Sequence, residues 1–395
     1  MKESTNLNNL VNKKQNNKSI VLERDLLKSI ETAFKKERIL LIFGARQVGK
    51  TTSSLIYYES IKENKIKING EDKYIQEELG KVTIDSIKKI IGQAKFVFID
   101  EAQYIPDIGT VLKLIYDTMP TIKVLATGSS AFGLAARTSE SMAGRKKTLS
   151  AFPLTLKEIK DNNIFTYIDQ GLDGILVLGL YPRVLTESDF NYKKEILLEL
   201  AESYLYKDVL NYQGIRNAPA IAKLAQLLAL QIGSQVSLSE LSRQLGISRE
   251  TVEKYIDILE KSFIIFTLSA YSSNKRNEIS KSKKYYFWDL GIRNAIIKNF
   301  ENLDLRNDAG AIWENLVIAE KIKKSRLVNN LQNFYFWRSY SGVEVDLIVE
   351  SNNKLEAYEI KLSKDKTKAK NEFYENYPDI KIEIINRDNY QKYLL

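Results

Sequence analysis

Three short apolar runs in the N-terminal third of the chain have the pattern of fully buried strands. They lie at residues 39–43, 96–99 and 122–126, and each is followed by small or polar residues. A strand that is apolar on both faces is typical of a parallel sheet covered by helices. Helical patterns lie between the runs. The pattern predicts an α/β fold with a parallel sheet over residues 19–150, preceded by a flexible polar tail at residues 1–18.

The rest of the chain predicts three more modules. Residues 151–232 have mainly helical patterns, which predict a lid or connector. Residues 233–290 predict a winged helix-turn-helix, because serines can cap two consecutive helices and Gly246 can form the turn between them. Residues 291–395 predict a compact α/β domain in which one helix is followed by three strands.

Composition excludes several kinds of chemistry. The 395 residues include no cysteine and no histidine, which excludes disulfides, thiol catalysis, the usual zinc sites and histidine acid–base catalysis. Carboxylate, lysine and magnesium chemistry remain. The formal net charge of +9 favours an anionic partner such as DNA. No apolar run is long enough to cross a bilayer, and the polar start has no signal core, so we expect a cytoplasmic protein without membrane contact.

The first apolar run leads into a phosphate-binding loop with the spacing GxxxxGKT. Its residues are Gly44, Ala45, Arg46, Gln47, Val48, Gly49, Lys50, Thr51 and Thr52. The glycines let successive backbone N–H groups face a triphosphate, the lysine reaches the β and γ oxygens, and the hydroxyl of Thr51 can bind Mg²⁺. We therefore predict that these residues bind ATP together with Mg²⁺.

The second run ends in Asp100 and Glu101, as a Walker B strand does. Asp100 would hold the Mg²⁺ through water, and Glu101 would orient or deprotonate the attacking water. The third run is followed by Thr127 and Ser129, and a polar side chain at this place can sense the γ-phosphate. Ser129 is the first candidate for this sensor and Thr127 is the second.

Two arginines after the third run, Arg137 and Arg145, could each act as an arginine finger, in the same chain or in a neighbouring copy. Such a finger contributes on the order of 10³–10⁵ in rate. The motifs GARQVGKTT, FVFIDEAQ, ATGSSA, SMAGR and LSAFPLTLKE together resemble the bacterial and archaeal AAA-type ATPases that carry a C-terminal domain of unknown function. The resemblance extends from about residue 19 to the end. It implies an AAA+-like P-loop NTPase core and favours Arg145, and a finger from a neighbour would require a homo-oligomer.

The C-terminal module resembles a PD-(D/E)xK nuclease core, an α/β fold of the restriction-endonuclease type. Glu314 lies on a predicted helix, Asp346 on a strand, and Glu359 and Lys361 on one face of the next strand, since residues two apart share a face. These carboxylates could share a Mg²⁺ beside Lys361. Val345 stands where that family has proline. The alternatives are a surface sheet with salt-bridged acids and a nuclease fold that has lost its activity.

Charge leaves the role of the winged helix open. The second helix of the pair offers Arg249 and Lys254 but also four acids, whereas the wing is more basic. The wing residues are Lys275, Arg276, Lys281, Lys283 and Lys284. The leading hypothesis is a Mg²⁺-dependent ATPase whose nucleotide state controls a DNA-binding winged helix and a nuclease-like domain. The alternative is a non-cleaving nucleotide-dependent switch that binds DNA or a protein partner, and a small-molecule kinase is disfavoured.

Overall fold

The computed structural model describes residues 22–128, 142–165, 168–203, 217–271, 283–328, 332–363 and 370–395. The chain divides into two compact units, Met1–Leu154 and Thr155–Leu395. Each unit has its own sheet. Across the described ranges, none of the helices has both the length and the apolar character that a membrane span requires.

The first unit is built on a five-stranded sheet in which every neighbouring pair is parallel, in the order β2-β3-β4-β1-β5. Its strands are β1 (Ile39–Gly44), β2 (Lys65–Asn69), β3 (Phe96–Asp100), β4 (Lys123–Gly128) and β5 (Lys147–Ala151). Its described helices are α1 (Asp25–Ala33), α2 (Lys50–Ser60), α3 (Lys73–Gly80), α4 (Ile84–Ile91) and α5 (Ile108–Thr118). The predicted α/β fold with a parallel sheet is confirmed.

Local sequence explains the elements that surround the nucleotide loop. All six residues of β1 are buried, as expected for a strand covered on both faces. Helix α4 begins with a capping box, in which the side chains of Thr83 and Ser86 each accept a hydrogen bond from the other residue's backbone N–H. At the end of β1, Gly44 lies opposite Ala151 of β5. A Cβ at Gly44 would lie 2.1 Å from the Ala151 carbonyl oxygen, so only glycine fits there.

The second unit contains one seven-stranded sheet in the order β12-β11-β10-β9-β7-β8-β6. Its strands are β6 (Gln235–Val236), β7 (Ile265–Ala270), β8 (Lys283–Phe287), β9 (Asn333–Arg338), β10 (Glu344–Ser351), β11 (Lys354–Ile360) and β12 (Ile382–Ile385). Its described helices are α6 (Leu156–Asp161), α7 (Ile168–Leu178), α8 (Pro182–Thr186), α9 (Phe190–Ser203), α10 (Ala218–Leu230), α11 (Leu238–Leu245), α12 (Arg249–Lys261), α13 (Leu290–Ile296), α14 (Ala309–Leu327), α15 (Asn371–Asn376) and α16 (Tyr390–Leu394).

The seven-stranded sheet joins strands that the sequence assigns to different modules. Strands β7 and β8 form an antiparallel pair in the predicted winged helix, and β7 pairs in parallel with β9 of the predicted nuclease-like domain. Strand β10 then pairs antiparallel with both β9 and β11. The predicted boundary at residue 290 therefore separates segments that share one hydrogen-bonded sheet. The four-module division itself stays a prediction.

The predicted helix-turn-helix region contains two short helices with well-defined ends. Ser237 caps α11 by accepting from the N–H of Glu240, and Ser248 caps α12 by accepting from the N–H of Thr251. Gly246 ends α11 in the left-handed region, with φ of 65°. These elements are compatible with a winged helix, and its identification as one that binds DNA stays a prediction.

We expect Gly44→Ala to destabilise the first unit by about 1–3 kcal/mol, because the new methyl group would displace the backbone of β5. Calorimetric melting of the whole chain measures this loss. The three tryptophans, Trp288, Trp313 and Trp337, all lie in the second unit, so tryptophan fluorescence should shift less. Gly174→Ala, where a Cβ meets nothing within 4 Å, is the matched control. A Gly44→Ala protein that melts at the wild-type temperature would contradict the prediction.

Candidate functional site

The phosphate-binding loop lies between the end of β1 and the start of α2. Its backbone takes positive φ at Gln47 (56°) and Gly49 (93°), and Gly49 precedes the first residue of α2. The loop therefore directs the N–H groups of the helix N-terminus toward the place where a phosphate would bind. Ala45 and Val48 are buried and anchor the loop on the sheet, whereas Thr52 is exposed on α2.

Lys50 is buried at the start of α2, and its ammonium group closes the loop. Its Nζ donates to the carbonyl oxygens of Gly44, at 2.9 Å, and Ala45, at 2.6 Å. These two carbonyls hold the positive charge inside the loop that would surround a triphosphate. Phosphate oxygens, which are charged acceptors, would compete with them for the same N–H donors.

Asp100, the last residue of β3, contacts residues of β4 and of the first turn of α2. Its Oδ1 accepts from the Thr51 hydroxyl at 3.0 Å and from the Thr127 hydroxyl at 2.5 Å. The strand order explains this contact, because β4 lies between β1 and β3 and carries Thr127 to the carboxyl end shared by all three. Thr127 is fully buried and also accepts from the N–H of Glu101 at 3.2 Å.

Glu101 has a defined orientation directly after β3. Its Oε2 accepts from Nε2 of Gln103 at 2.6 Å. Its backbone lies in the left-handed region, with φ of 51°, which a residue other than glycine rarely adopts. Gly70 makes room for this turn, since a Cβ there would lie 2.4 Å from the Glu101 carbonyl oxygen. Non-glycine residues with such a backbone cluster at functional sites.

The remaining predictions for the first unit have different outcomes. Ser129 and Arg137 lie outside the described residues. Arg145 lies in the described part, where its Nε donates to Oδ1 of Asp117 at 3.1 Å at the surface. Its role as an arginine finger stays a prediction, and so do the binding roles of Arg46 and Gln47.

Sequence reasoning missed Arg24, which precedes α1. This arginine is buried and donates to the carbonyl of Val48 in the phosphate-binding loop, and to that of Phe152 at 2.8 Å. It therefore ties the loop to the segment that follows β5. In the sequence Arg24 precedes an amphipathic helix and looks like any solvated arginine, so no local pattern identifies it. Gln103 was also missed, although it directly follows the Asp100-Glu101-Ala102 segment.

The second unit gathers acids from three elements around one place. Glu314 comes from α14, Glu344 and Asp346 from β10, and Glu359 from β11. Asp346 and Glu359 are buried, and Oδ2 of Asp346 accepts from the N–H of Ile360 at 2.7 Å. These four carboxylates are called the acid cluster below.

The electrostatics confirm that members of the acid cluster interact. Burial, together with the neighbouring carboxylates of Glu314 and Glu359, raises the pKa of Asp346 to about 7, although the N–H of Ile360 and the charge of Lys361 act in the opposite direction. The pKa of Lys361 is raised by Glu359 and Asp346, although burial acts in the opposite direction. The chain therefore brings the predicted Glu314, Asp346, Glu359 and Lys361 close enough to influence one another's charge.

Protein groups already contact the predicted ligands of this cluster. Glu359 pairs with the ammonium groups of Lys361, at 2.7 Å, and Lys370, at 3.1 Å. Glu314 accepts from the Tyr286 hydroxyl at 2.5 Å and lies 3.4 Å from Nζ of Lys284. In the part of the chain that the structure describes, no group of three or more acids is arranged to hold a metal ion. The metal roles of Glu314, Asp346 and Glu359 stay predictions.

Comparison with known proteins agrees with the geometry of the first unit. Residues 36–160 match the AAA domain family. The chain carries an AAA-type P-loop ATPase-like domain. Residues 169–303 and 309–393 match two domains of unknown function, DUF8612 and DUF4143, so the expected C-terminal domain of unknown function is also present.

The similar proteins are uncharacterised. MJ1544 of Methanocaldococcus jannaschii is 28% identical over 360 residues, covering 85% of this chain and 77% of that protein. Rv2008c of Mycobacterium tuberculosis is 27% identical over 347 residues, covering 87% and 74%. Among solved structures, the Walker-type ATPase PABY2304 of Pyrococcus abyssi is 15% identical and covers 71% of this chain and 97% of that one, with a TM-score of 0.49.

We expect Thr127→Val to lower the rate of ATP hydrolysis by about 10–100-fold, because the group that positions Asp100 would be lost without a change in volume. The Michaelis constant for ATP should change little, and steady-state phosphate release measures both quantities. Thr118→Val is the matched control, since the Thr118 hydroxyl donates only to a backbone carbonyl on the exposed side of α5. If Ser129→Ala costs more than Thr127→Val, then Ser129 is the sensor.

Proposed function

We propose that the chain is a Mg²⁺-dependent ATPase whose nucleotide state controls its C-terminal half. The observation that carries the ATPase assignment is the single oxygen of Asp100 that accepts from both Thr51 and Thr127. This contact places the metal-binding hydroxyl of the loop, the acid of β3 and a polar residue of β4 at one point.

The donors at this point fit Mg²⁺. A hydroxyl and a carboxylate are the hard oxygen ligands that Mg²⁺ prefers, and the remaining positions are usually taken by water and phosphate oxygens. Thr51 and Asp100 would hold the ion, which would neutralise charge on the β- and γ-phosphates. Lys50 and the N–H groups of the loop would bind the same phosphates from the other side.

Hydrolysis would depend on Glu101. Gln103 holds its carboxylate by one hydrogen bond and leaves the other oxygen to accept a proton from, or to orient, the attacking water. Thr127 links the two acids, because its hydroxyl contacts the Asp100 side chain and the Glu101 backbone. A change at the γ-phosphate can therefore reach Glu101 through a short chain of hydrogen bonds.

We expect Lys50→Ala to abolish ATP binding, because it removes the cation that faces the phosphates. Glu101→Gln should still bind ATP but lose most of its hydrolysis, since the amide cannot accept the proton. Binding of a fluorescent ATP analogue and release of phosphate separate the two effects. Normal hydrolysis by Lys50→Ala would overturn the assignment of the ATPase site.

The proposed control acts on a DNA-binding winged helix and a nuclease-like domain. The turn at Gly246 and the strand pair that follows α12 support the first, and the grouping of Asp346, Glu359 and Lys361 supports the second. The proposal includes a cytoplasmic location and a homo-oligomer in which Arg145 of one copy would complete the ATP site of its neighbour.

A specific observation favours the alternative, a switch that binds DNA or protein without cutting. Basic residues of α12 pair with acids of the same helix, Arg249 with Glu253 at 3.3 Å and Lys261 with Asp257 at 2.7 Å. These pairs leave less positive charge for a phosphate backbone. In the C-terminal cluster, Glu314 and Glu359 likewise pair with lysines. DNA binding, where present, should weaken steeply with salt, whereas apolar docking should not.

If the C-terminal domain cuts DNA, Asp346→Ala should abolish cleavage of plasmid or single-stranded DNA in the presence of Mg²⁺ or Mn²⁺, with or without ATP. Glu350→Ala is the matched control, because this acid lies on the same strand but accepts from Asn333. Gel assays of intact and cut DNA measure the outcome. If wild type hydrolyses ATP and cuts nothing, the non-cleaving switch replaces the nuclease hypothesis.

A further inference from the structure

Lys284 of β8 occupies a different environment from the one its sequence suggests. The sequence groups it with the basic residues of the wing, which would face DNA. The structure instead buries it, with 2% of the residue exposed, while its neighbour Lys283 is exposed. Alternation along the strand explains the difference, because successive residues point to opposite faces of a sheet.

The ammonium group of Lys284 contacts two members of the acid cluster. Its Nζ lies 3.4 Å from Oε1 of Glu314 and forms a salt bridge with Glu344. It also lies 5.3 Å from the centre of the Phe336 ring, which favours a cation on its face. Tyr286, two residues further along the same face of β8, donates to the Glu314 oxygen that Lys284 contacts. Strand β8 therefore supplies two donors to one carboxylate.

Lys284 differs from the other lysines of the cluster in its access to water. Its side chain is 3% exposed, compared with 14% for Lys370 and 37% for Lys361. Lys361, the most exposed of the three, can turn toward solvent to make room for another cation. The side chain of Lys284 is enclosed, and its strand is paired on both sides, with β6 and with β7, so its ammonium group can reach solvent only if β8 or the side chains around it move.

The charges in the cluster are nearly balanced without a metal ion. Four carboxylates face three ammonium groups, those of Lys284, Lys361 and Lys370, and the guanidinium group of Arg338, whose Nη1 lies 3.4 Å from Oε2 of Glu344. A buried charge is tolerated only when it is paired and hydrogen-bonded. A divalent ion in the cluster would place two positive charges next to the enclosed ammonium group of Lys284. Neighbouring like charges repel strongly in a protein interior, where the dielectric constant is lower than in water.

We propose that Lys284 is a positioning residue that takes the place of a metal ion in the acid cluster. In this arrangement the cluster does not bind a divalent cation, and the predicted ligands Glu314, Asp346 and Glu359 are held by protein groups. The contacts of Lys284 do not depend on nuclease activity. Only the biological role that we assign to this lysine rests on the proposed function.

The strand that carries Lys284 indicates which movement would free the acid cluster for a metal ion. Strand β8 pairs with β7, and this pair directly follows the helices α11 and α12 of the proposed winged helix. A shift of that pair would withdraw Lys284 and Tyr286 together from Glu314. Binding of a partner to the winged helix would then be linked to metal binding at the acid cluster.

Direct titration with Mn²⁺ tests the proposal without any assay of cleavage. All proteins are tested as the full chain with Thr51→Ala and without nucleotide, so that the ATP site does not contribute to Mn²⁺ binding. Electron paramagnetic resonance measures the concentration of free Mn²⁺. We expect Lys284→Met, which keeps the length of the side chain without its charge, to bind Mn²⁺ at least about tenfold more tightly. This gain should disappear in Lys284→Met with Asp346→Asn. Lys283→Met is the matched control and should show no gain.

Three outcomes would overturn the proposal. The first is that the wild-type cluster binds Mn²⁺ as tightly as the Lys284→Met protein does, and that Asp346→Asn abolishes this binding. A metal ion would then bind beside the lysine. Another is a folded Lys284→Met protein, with a wild-type circular dichroism spectrum, that gains no affinity. If Lys284→Met does not fold, the wild-type chain still decides, because tight Mn²⁺ binding that requires Asp346 is incompatible with a resident ammonium group. Failure of the ATPase assignment would leave all these measurements unaffected.

Discussion

Negative charge away from bulk water is the constraint on which both candidate sites depend. The chain has no histidine or cysteine, so its polar chemistry rests on carboxylates, and a buried carboxylate needs partners. The two units meet this need in different ways. Asp100 is held by two neutral hydroxyls, which leave its negative charge available to a cation. The acid cluster of the second unit is held largely by basic side chains, which offset most of its charge.

This difference bears on what each site can do. A carboxylate that keeps its charge beside a phosphate-binding loop attracts Mg²⁺ together with a nucleotide, as ATP hydrolysis requires. A cluster whose charge is offset by basic side chains is stable without a ligand. If the proposals above hold, the first site is ready for its ligands, and the second binds a metal ion only after a change elsewhere in its unit. Control of the C-terminal half by the nucleotide state would need such a dependence.

The sequence predicted the parts of the molecule that local patterns determine. The apolar runs predicted the parallel sheet and the GxxxxGKT spacing predicted the loop between β1 and α2. The sequence also singled out Asp100 and Glu101 at the end of β3, whose catalytic roles stay predictions. Local sequence patterns do not reveal contacts between segments that are distant in the chain. Arg24 lies well before the loop in the sequence, and nothing local distinguishes it from a surface arginine. Lys284 was read as part of a basic wing, because charge alone does not reveal which face of a strand is buried.

The seven-stranded sheet limits how the second unit can be divided. Residues 169–303 and 309–393 match separate families, yet β7 of the first region pairs with β9 of the second. A cut between the regions would leave β7 and β9 as exposed edges of apolar strands, which tend to pair with other chains and aggregate. Exchange of one region between related proteins would likewise have to preserve the register between Ser269 and Tyr335. The two regions are thus constrained to change together in evolution, although their sequences are classified apart.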